Sequence, residues 1–203
     1  IGDETFENCE SLTEIVVPNG VTSIGKQAFG SCSGLTSISM PNTLNRIGEE
    51  AFSFCTHIVS INLPQHVNHI GSGAFSNCYN LEKMYIPEGV SKIGDNIFQS
   101  CSSLISIIVD ADNNYYDSRN NCNAIVDSYT HTLIASCQNT TIPTDIRSIG
   151  DYAFSHSSAK MASIILPEGV ESIGKSAFSD CRNLKTIVLP NSVKYIGERA
   201  FYE

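Results

Sequence analysis

Cysteine is the most reactive side chain that recurs in this sequence, with eight copies. Six share one setting, three residues after a phenylalanine: Cys9, Cys32, Cys55, Cys78, Cys101 and Cys181. Such a row would offer either disulfides or a soft metal site. There is no Cys-x-x-Cys pair, and a linear row is not a tetrahedron. Equivalent units stacked ~5 Å apart would bring the thiols within bridging distance, but translation keeps their Cβ vectors parallel rather than convergent. Small, buried, unreactive thiols are expected. His66 and His69, with His57 nearby, lack a third ligand at a workable spacing and read as polar surface. The run from Asp110 to Asn121 is similar to a calcium loop, but Tyr115 stands where the turn needs glycine and Asn121 where a bidentate acid is needed. No Gly-x-Ser-x-Gly, P-loop or His-Glu-x-x-His is present. Together these features predict no catalytic residues, no metal and no cofactor.

The elements that carry these residues are set by a repeat. Ile-Gly recurs at Ile1, Ile24, Ile47, Ile70, Ile93, Ile149, Ile173 and Ile196, spaced by 23 residues except for one interval of 56 and one of 24. A phenylalanine follows each isoleucine by five positions, from Phe6 to Phe201, and only Phe54 is off register. All seven prolines share a register as well. Within one unit, Leu35, Ile38 and Met40 predict a short strand with Ser37 and Ser39 on its other face. Pro41 ends it, having no N–H for a ladder. Gly48 marks a tight corner, where a Cβ would clash or φ is positive. Ala51-Phe52 fits a short helical or 3₁₀ turn whose ring fills the space between layers. One such unit cannot bury its own apolar edge, so the units must stack. The sequence predicts a solenoid of about eight coils, one parallel strand per coil, forming a single domain over residues 1–203 that is truncated at both ends.

The units Leu-x-x-Ile-x-Leu-Pro-x-x-Val-x-x-Ile-Gly-x-x-Ala-Phe-x-x-Cys resemble the BspA-like, or Treponema-type, leucine-rich repeats over nearly the whole chain. The resemblance implies a leucine-rich-repeat solenoid with a parallel concave sheet. It also implies a surface or secreted protein that binds another protein or cell, as several adhesins of that family do. It does not imply a particular ligand.

Residues 110–139 interrupt the repeat. The first part, 110–117, reads as a polar loop, and the rest as a β-hairpin with its turn at 128–131. Similar hairpin insertions occur in the bacterial relatives. The insertion is either padding over a widened core or a ligand-specific protrusion. A hairpin without a bulge pairs Ile125 with Ile134 and Cys122 with Cys137. The two thiols are then neighbours, either as a disulfide or as buried thiols at the hairpin base. A second irregularity adds one residue between Phe154 and Ile164, where Ser157-Ser158 replaces the cysteine.

The net charge of −9 argues against nucleic acid and anionic membranes as partners, and no hydrophobic run approaches a membrane span. The strand pattern defines outward-facing positions along the sheet. Val16, Lys83, Tyr85, Ile108, Thr141, Ile165 and Val188 stand there and form the candidate ligand surface. An apolar row on a solvated sheet suits either strand propensity alone or a protein-binding face. The expected function is an extracellular or cell-surface binding module for a protein or glycan, on host matrix or another cell. The alternative is a spacer with no ligand of its own.

Overall fold

The structure is a computed structural model that describes residues 1–155 and 162–203. The one-residue irregularity and Ser157-Ser158 fall at 156–161, outside the described residues. The chain winds as a β-solenoid, and each regular coil contributes two short strands. In order these are β1 (Glu14–Val16) and β2 (Ser23–Ile24), β3 (Ser37–Ser39) and β4 (Arg46–Ile47), β5 (Ser60–Ile61) and β6 (His69–Ile70), and β7 (Lys83–Ile86) and β8 (Lys92–Ile93). Strand β9 (Ser106–Val109) leads into the insertion. The insertion holds β10 (Tyr116–Asp117), a 3₁₀ turn at Arg119–Asn121, β11 (Ala124–Asp127) and β12 (Thr132–Ser136). Regular coils resume with β13 (Ser148–Ile149), β14 (Ser163–Ile165), β15 (Ser172–Ile173), β16 (Thr186–Val188) and β17 (Tyr195–Ile196).

Stacking is parallel and in register with the repeat. Ile15 pairs with Ile38, Ile61 with Met84, and Met84 with Ile107. The expectation of one strand per coil is corrected: a second parallel ladder runs through the isoleucine of Ile-Gly and the residue before it, pairing Ile24, Ile47, Ile70 and Ile93 in sequence. Each of these strands is only two residues long, because the following glycine turns the chain.

The expected helical turn around Ala-Phe is also corrected. Among the described residues no α-helix occurs. The segment is a run of tight turns with left-handed residues two before and two after the phenylalanine, such as Gln27 (φ 49°) and Ser31 (φ 58°) around Phe29. Off-register Phe54 takes the second of these positions at φ 58°, which puts its ring outside. Alternating handedness aims alternate N–H groups along the solenoid axis. Gln27, Phe29 and Ser31 donate to the carbonyls of Glu49, Ala51 and Ser53 at 2.7–2.9 Å. A third set of inter-coil hydrogen bonds thus replaces the intrahelical bonds a helix would make.

Inside, the phenylalanine rings stack in two runs, Phe6 to Phe98 and Phe154 to Phe201. Centroids in the first run are 5.1, 5.3, 5.7 and 6.1 Å apart, and in the second 4.9 and 5.4 Å. The recurrent cysteines are free thiols, and each from Cys32 onward donates to the carbonyl of the preceding coil's phenylalanine. Cys32 reaches Phe6 O at 3.0 Å, Cys78 reaches Phe52 O at 3.1 Å, and Cys101 reaches Phe75 O at 3.0 Å. A weak donor small enough for the core therefore covers a carbonyl in the stack.

Burial lifts the Cys32 thiol to about 11 and the Cys101 thiol to about 12, and raises Cys55 and Cys78 as well. Unfolded thiols ionise near 9.0. The ladder's stabilisation is therefore complete below that pH and is lost as pH rises through the folded values. In the native protein at mildly alkaline pH, an aromatic disulfide reagent should titrate exposed Cys9 promptly and the other seven thiols only after denaturant is added. Prompt reaction of the buried set would show that the coils open locally.

The insertion is a wedge rather than a protrusion. Both faces of the β11–β12 hairpin are buried. Ile125, Ala135 and Cys137 pack into the N-terminal core, and Cys122, Ala124, Val126 and Leu133 into the C-terminal core. Strand β12 pairs with β13, so it stands in for a coil of the second ladder. Part of the stretch expected as a polar loop is strand β10, which pairs with β11. Arg119 ties the wedge to the next coil, bonding Asp117 at 2.6 Å and Asp145 at 2.5 Å.

The bulge-free register is overturned. Val126 pairs with Leu133 as expected, but Ile125 faces Ala135 and Ala124 faces Ser136. A β-bulge absorbs one residue there, and Ile134 and Ala135 consequently both pack toward the N-terminal core. The slip sends Cys122 and Cys137 to opposite sides of the hairpin. Both are free thiols, and Cys137 Sγ donates to Asn123 O at 3.2 Å.

Candidate binding face

The first ladder carries the outward positions. It forms three separate sheets: β1–β3, β5–β7–β9 and β14–β16. The residues placed outward by the sequence pattern are exposed on them. Val16 keeps 77% of its surface, Tyr85 42%, Ile108 52% and Ile165 70%, and Lys83 and Val188 are exposed too. Their inward neighbours Met84, Ile86, Ile107 and Val109 are buried, as the two-residue alternation of a strand requires.

The structure brings some of these together and separates others. Tyr85 lies directly opposite Ile108 across β7 and β9, with Lys83 opposite Ser106 at the other end of the pair. Ile165 lies opposite Val188. Val16 faces Ser39 and stands alone. Thr141 is exposed but not on a strand, which corrects its assignment to the sheet. Its backbone N–H donates to Cys122 O at 3.0 Å, because the hairpin base occupies the place of the missing strand.

Asp110, the first residue of the insertion, has a role that sequence reading missed. Its Oδ2 accepts the Tyr85 hydroxyl, while its Oδ1 accepts the Asp112 N–H at 2.9 Å. The hydrogen bond to Asp110 holds the Tyr85 phenol at about 12, and the same bond lowers the Asp110 carboxyl below the usual carboxylate range. Tyr85 is thus a fixed ring with a neutral hydroxyl, beside an aliphatic side chain and within one residue pair of a cation. This combination of anchored aromatic, apolar neighbour and peripheral charge suits the core and rim of a protein-binding patch. A second exposed aromatic, Tyr129, lies at the hairpin turn expected over 128–131. No periodic position identified it. Among the described residues no helix is long and apolar enough to cross a membrane.

The comparisons agree with this architecture. The model for the BspA type leucine rich repeat region matches six copies over residues 1–126 and 124–203. A leucine rich cell surface protein from Faecalibacterium prausnitzii is 28% identical, with a TM-score of 0.72 over 99% of this chain and 61% of that one. The pneumococcal vaccine antigen PcpA is 27% identical, with a TM-score of 0.81 over 95% of this chain and 52% of that one. A leucine-rich repeat protein from Eubacterium ventriosum shares the fold at 24% identity and a TM-score of 0.74, over 92% of this chain and 56% of that one. The chain thus spans little more than half the length of these proteins. No curated protein matches its sequence. With coils, phenylalanine stack and family model in agreement over both halves, this chain belongs to the BspA-type leucine-rich-repeat family.

Proposed function

We propose that residues 1–203 act as one non-catalytic, surface-displayed binding unit, and that the first ladder around β7 and β9 receives a protein ligand on host matrix or another cell. The observation that carries this reading is the Tyr85–Ile108 pair. Two large apolar side chains stand opposed in solvent, and an acid from the insertion fixes the ring. Pre-organised aromatic side chains lose little entropy on binding. The names of two structural relatives, a cell surface protein and a vaccine antigen, support display outside the cell.

The spacer reading draws support from the interruption of the apolar row. Ser39 and Asn62 occupy the same outward position, and no strand forms at 139–141. The two readings separate on one experiment. The chain is used as bait against panels of host matrix and bacterial surface proteins, and any captured ligand is titrated against Y85S/I108S. Both positions are exposed, so the melting temperature should hold within a few degrees. The binding reading expects at least about a tenfold loss of affinity, as for central contacts of an interface. Unchanged affinity would remove this face from consideration, and the absence of any ligand would favour the spacer.

A further inference from the structure

The residue before each Ile-Gly forms a second outward column, on the other ladder. Over β2, β4, β6 and β8 it reads Ser23, Arg46, His69 and Lys92, paired rung by rung. Three consecutive rungs carry basic side chains in a chain of net charge −9. Arg46 and Lys92 stand on the rungs either side of His69. Other lysines on equivalent turns are paired: Lys26 with Glu49 at 2.9 Å and Lys194 with Glu171 at 2.8 Å. Among the described residues, Arg46, His69 and Lys92 have no carboxylate within ion-pair distance. The His69 imidazole is held below its ordinary value by burial and then by the two flanking cations.

Beside this column stand Asn45 and Asn68, both exposed. Their backbones are engaged in the ladder, with Asn68 N–H donating to Asn45 O at 2.9 Å. Their amide side chains face water. A basic side chain and an exposed amide therefore stand side by side on the Arg46 and His69 rungs, and the two columns run in parallel along the solenoid axis with a rung every ~4.8 Å. That spacing is close to the length of one sugar ring in an extended polysaccharide, whereas phosphates of a DNA strand repeat at ~3.4 Å along the duplex axis.

We infer that Arg46, His69 and Lys92, with Asn45 and Asn68, form a binding strip for a linear anionic polysaccharide that lies along the solenoid axis, one sugar per rung. Arg46 and Lys92 meet its carboxylates or sulfates, and His69 and the amides meet its hydroxyls. The strip is separate from the Tyr85–Ile108 face and does not depend on it.

The test uses the full 203-residue chain. Binding to immobilised polygalacturonate, dextran sulfate, neutral dextran and poly(dT) is measured at low and high salt, for the native protein and two variants. R46S/K92S removes both cations of the column. Serine already stands at this position in Ser23, Ser148 and Ser172, so the coils keep their register. K175S/K185S removes the same charge from exposed sites off the column.

We expect at least one anionic polysaccharide to bind in a salt-sensitive manner and neutral dextran not to bind. R46S/K92S should lose at least about tenfold in affinity, while K175S/K185S stays within about twofold, since hydrogen bonds to charged groups are the costly ones to lose. Preference for polygalacturonate identifies carboxylates as the groups recognised, and preference for dextran sulfate identifies sulfates. No binding to either anionic polymer at low salt overturns the inference. Equal losses in the two variants, or poly(dT) bound as tightly as the polysaccharides, overturn it as well.

Discussion

Truncating Phe52 or Phe75 to alanine should lower the unfolding free energy by ~3–5 kcal/mol, read by urea denaturation. Both rings are fully buried and stacked on both sides, with neighbours at 5.3 to 6.1 Å. Each coil contributes one ring to the stack, and the coil backbones are tied together by three sets of hydrogen bonds, so the gap cannot close by sliding a coil inward. The cost should therefore lie toward the upper part of the range seen for buried aromatics. Phe54→Ala is the internal control. The same residue type is deleted from the same coil, but this ring is outside the stack and half exposed, so a loss below about 1 kcal/mol is expected. Equal losses at Phe52 and Phe54 would mean that the stack does not hold the coils together. Because Phe52 and Phe75 touch, the double variant should lose less than the two single losses combined.

The stack was legible in the sequence because it rests on identity at fixed spacing. Phenylalanine, cysteine, proline and Ile-Gly each recur with the coil, and a side chain that must meet its own equivalent one layer away leaves that trace. The outward positions Tyr85, Ile108, Ile165 and Val188 were legible for the same reason, through strand alternation. Features made by the backbone or by a single residue left no trace. The second ladder is two residues per coil, too short for alternation to register. The left-handed turn positions hold Gln27, Glu50, Asn96 and Tyr152, which share a backbone angle but no chemistry.

The bulge at Ile134–Ala135 resists sequence reading for another reason. A strand buried on one face reveals its register by which residues are apolar. The hairpin is buried on both faces, so apolar residues run consecutively through 124–126 and 133–135 and a slip of one position changes little in the pattern. That slip moved Cys137 away from Cys122. The basic column was present in the sequence, since Arg46, His69 and Lys92 share one repeat position, but its lack of acidic partners is visible only in three dimensions.

Glycine at the Ile-Gly corner yields the second large expected effect. The corner glycines Gly48 and Gly71 do not adopt positive φ, so conformational freedom is not what selects them. They are required by close approach: a Cβ on Gly48 would sit 2.5 Å from the Gly25 carbonyl carbon, and a Cβ on Gly71 would sit 2.5 Å from that of Gly48. The obstacle is backbone in both cases, so no side-chain rotation relieves it, and separating the coils would stretch the hydrogen bond from Gly48 N–H to Ile24 O, now 2.8 Å. Gly48→Ala should therefore cost about 3 kcal/mol or more, at or beyond the usual range for overpacking. Gly2 occupies the same motif position, and its Cβ would meet only Thr5 Oγ1 at an ordinary 3.5 Å. Gly2→Ala should stay within about 0.5 kcal/mol of the parent. Urea denaturation of the two variants separates the explanations. If glycine served turn geometry alone, both substitutions would cost the same. If it serves coil-on-coil contact, only Gly48, whose Cβ would meet the backbone of a neighbouring coil, is sensitive.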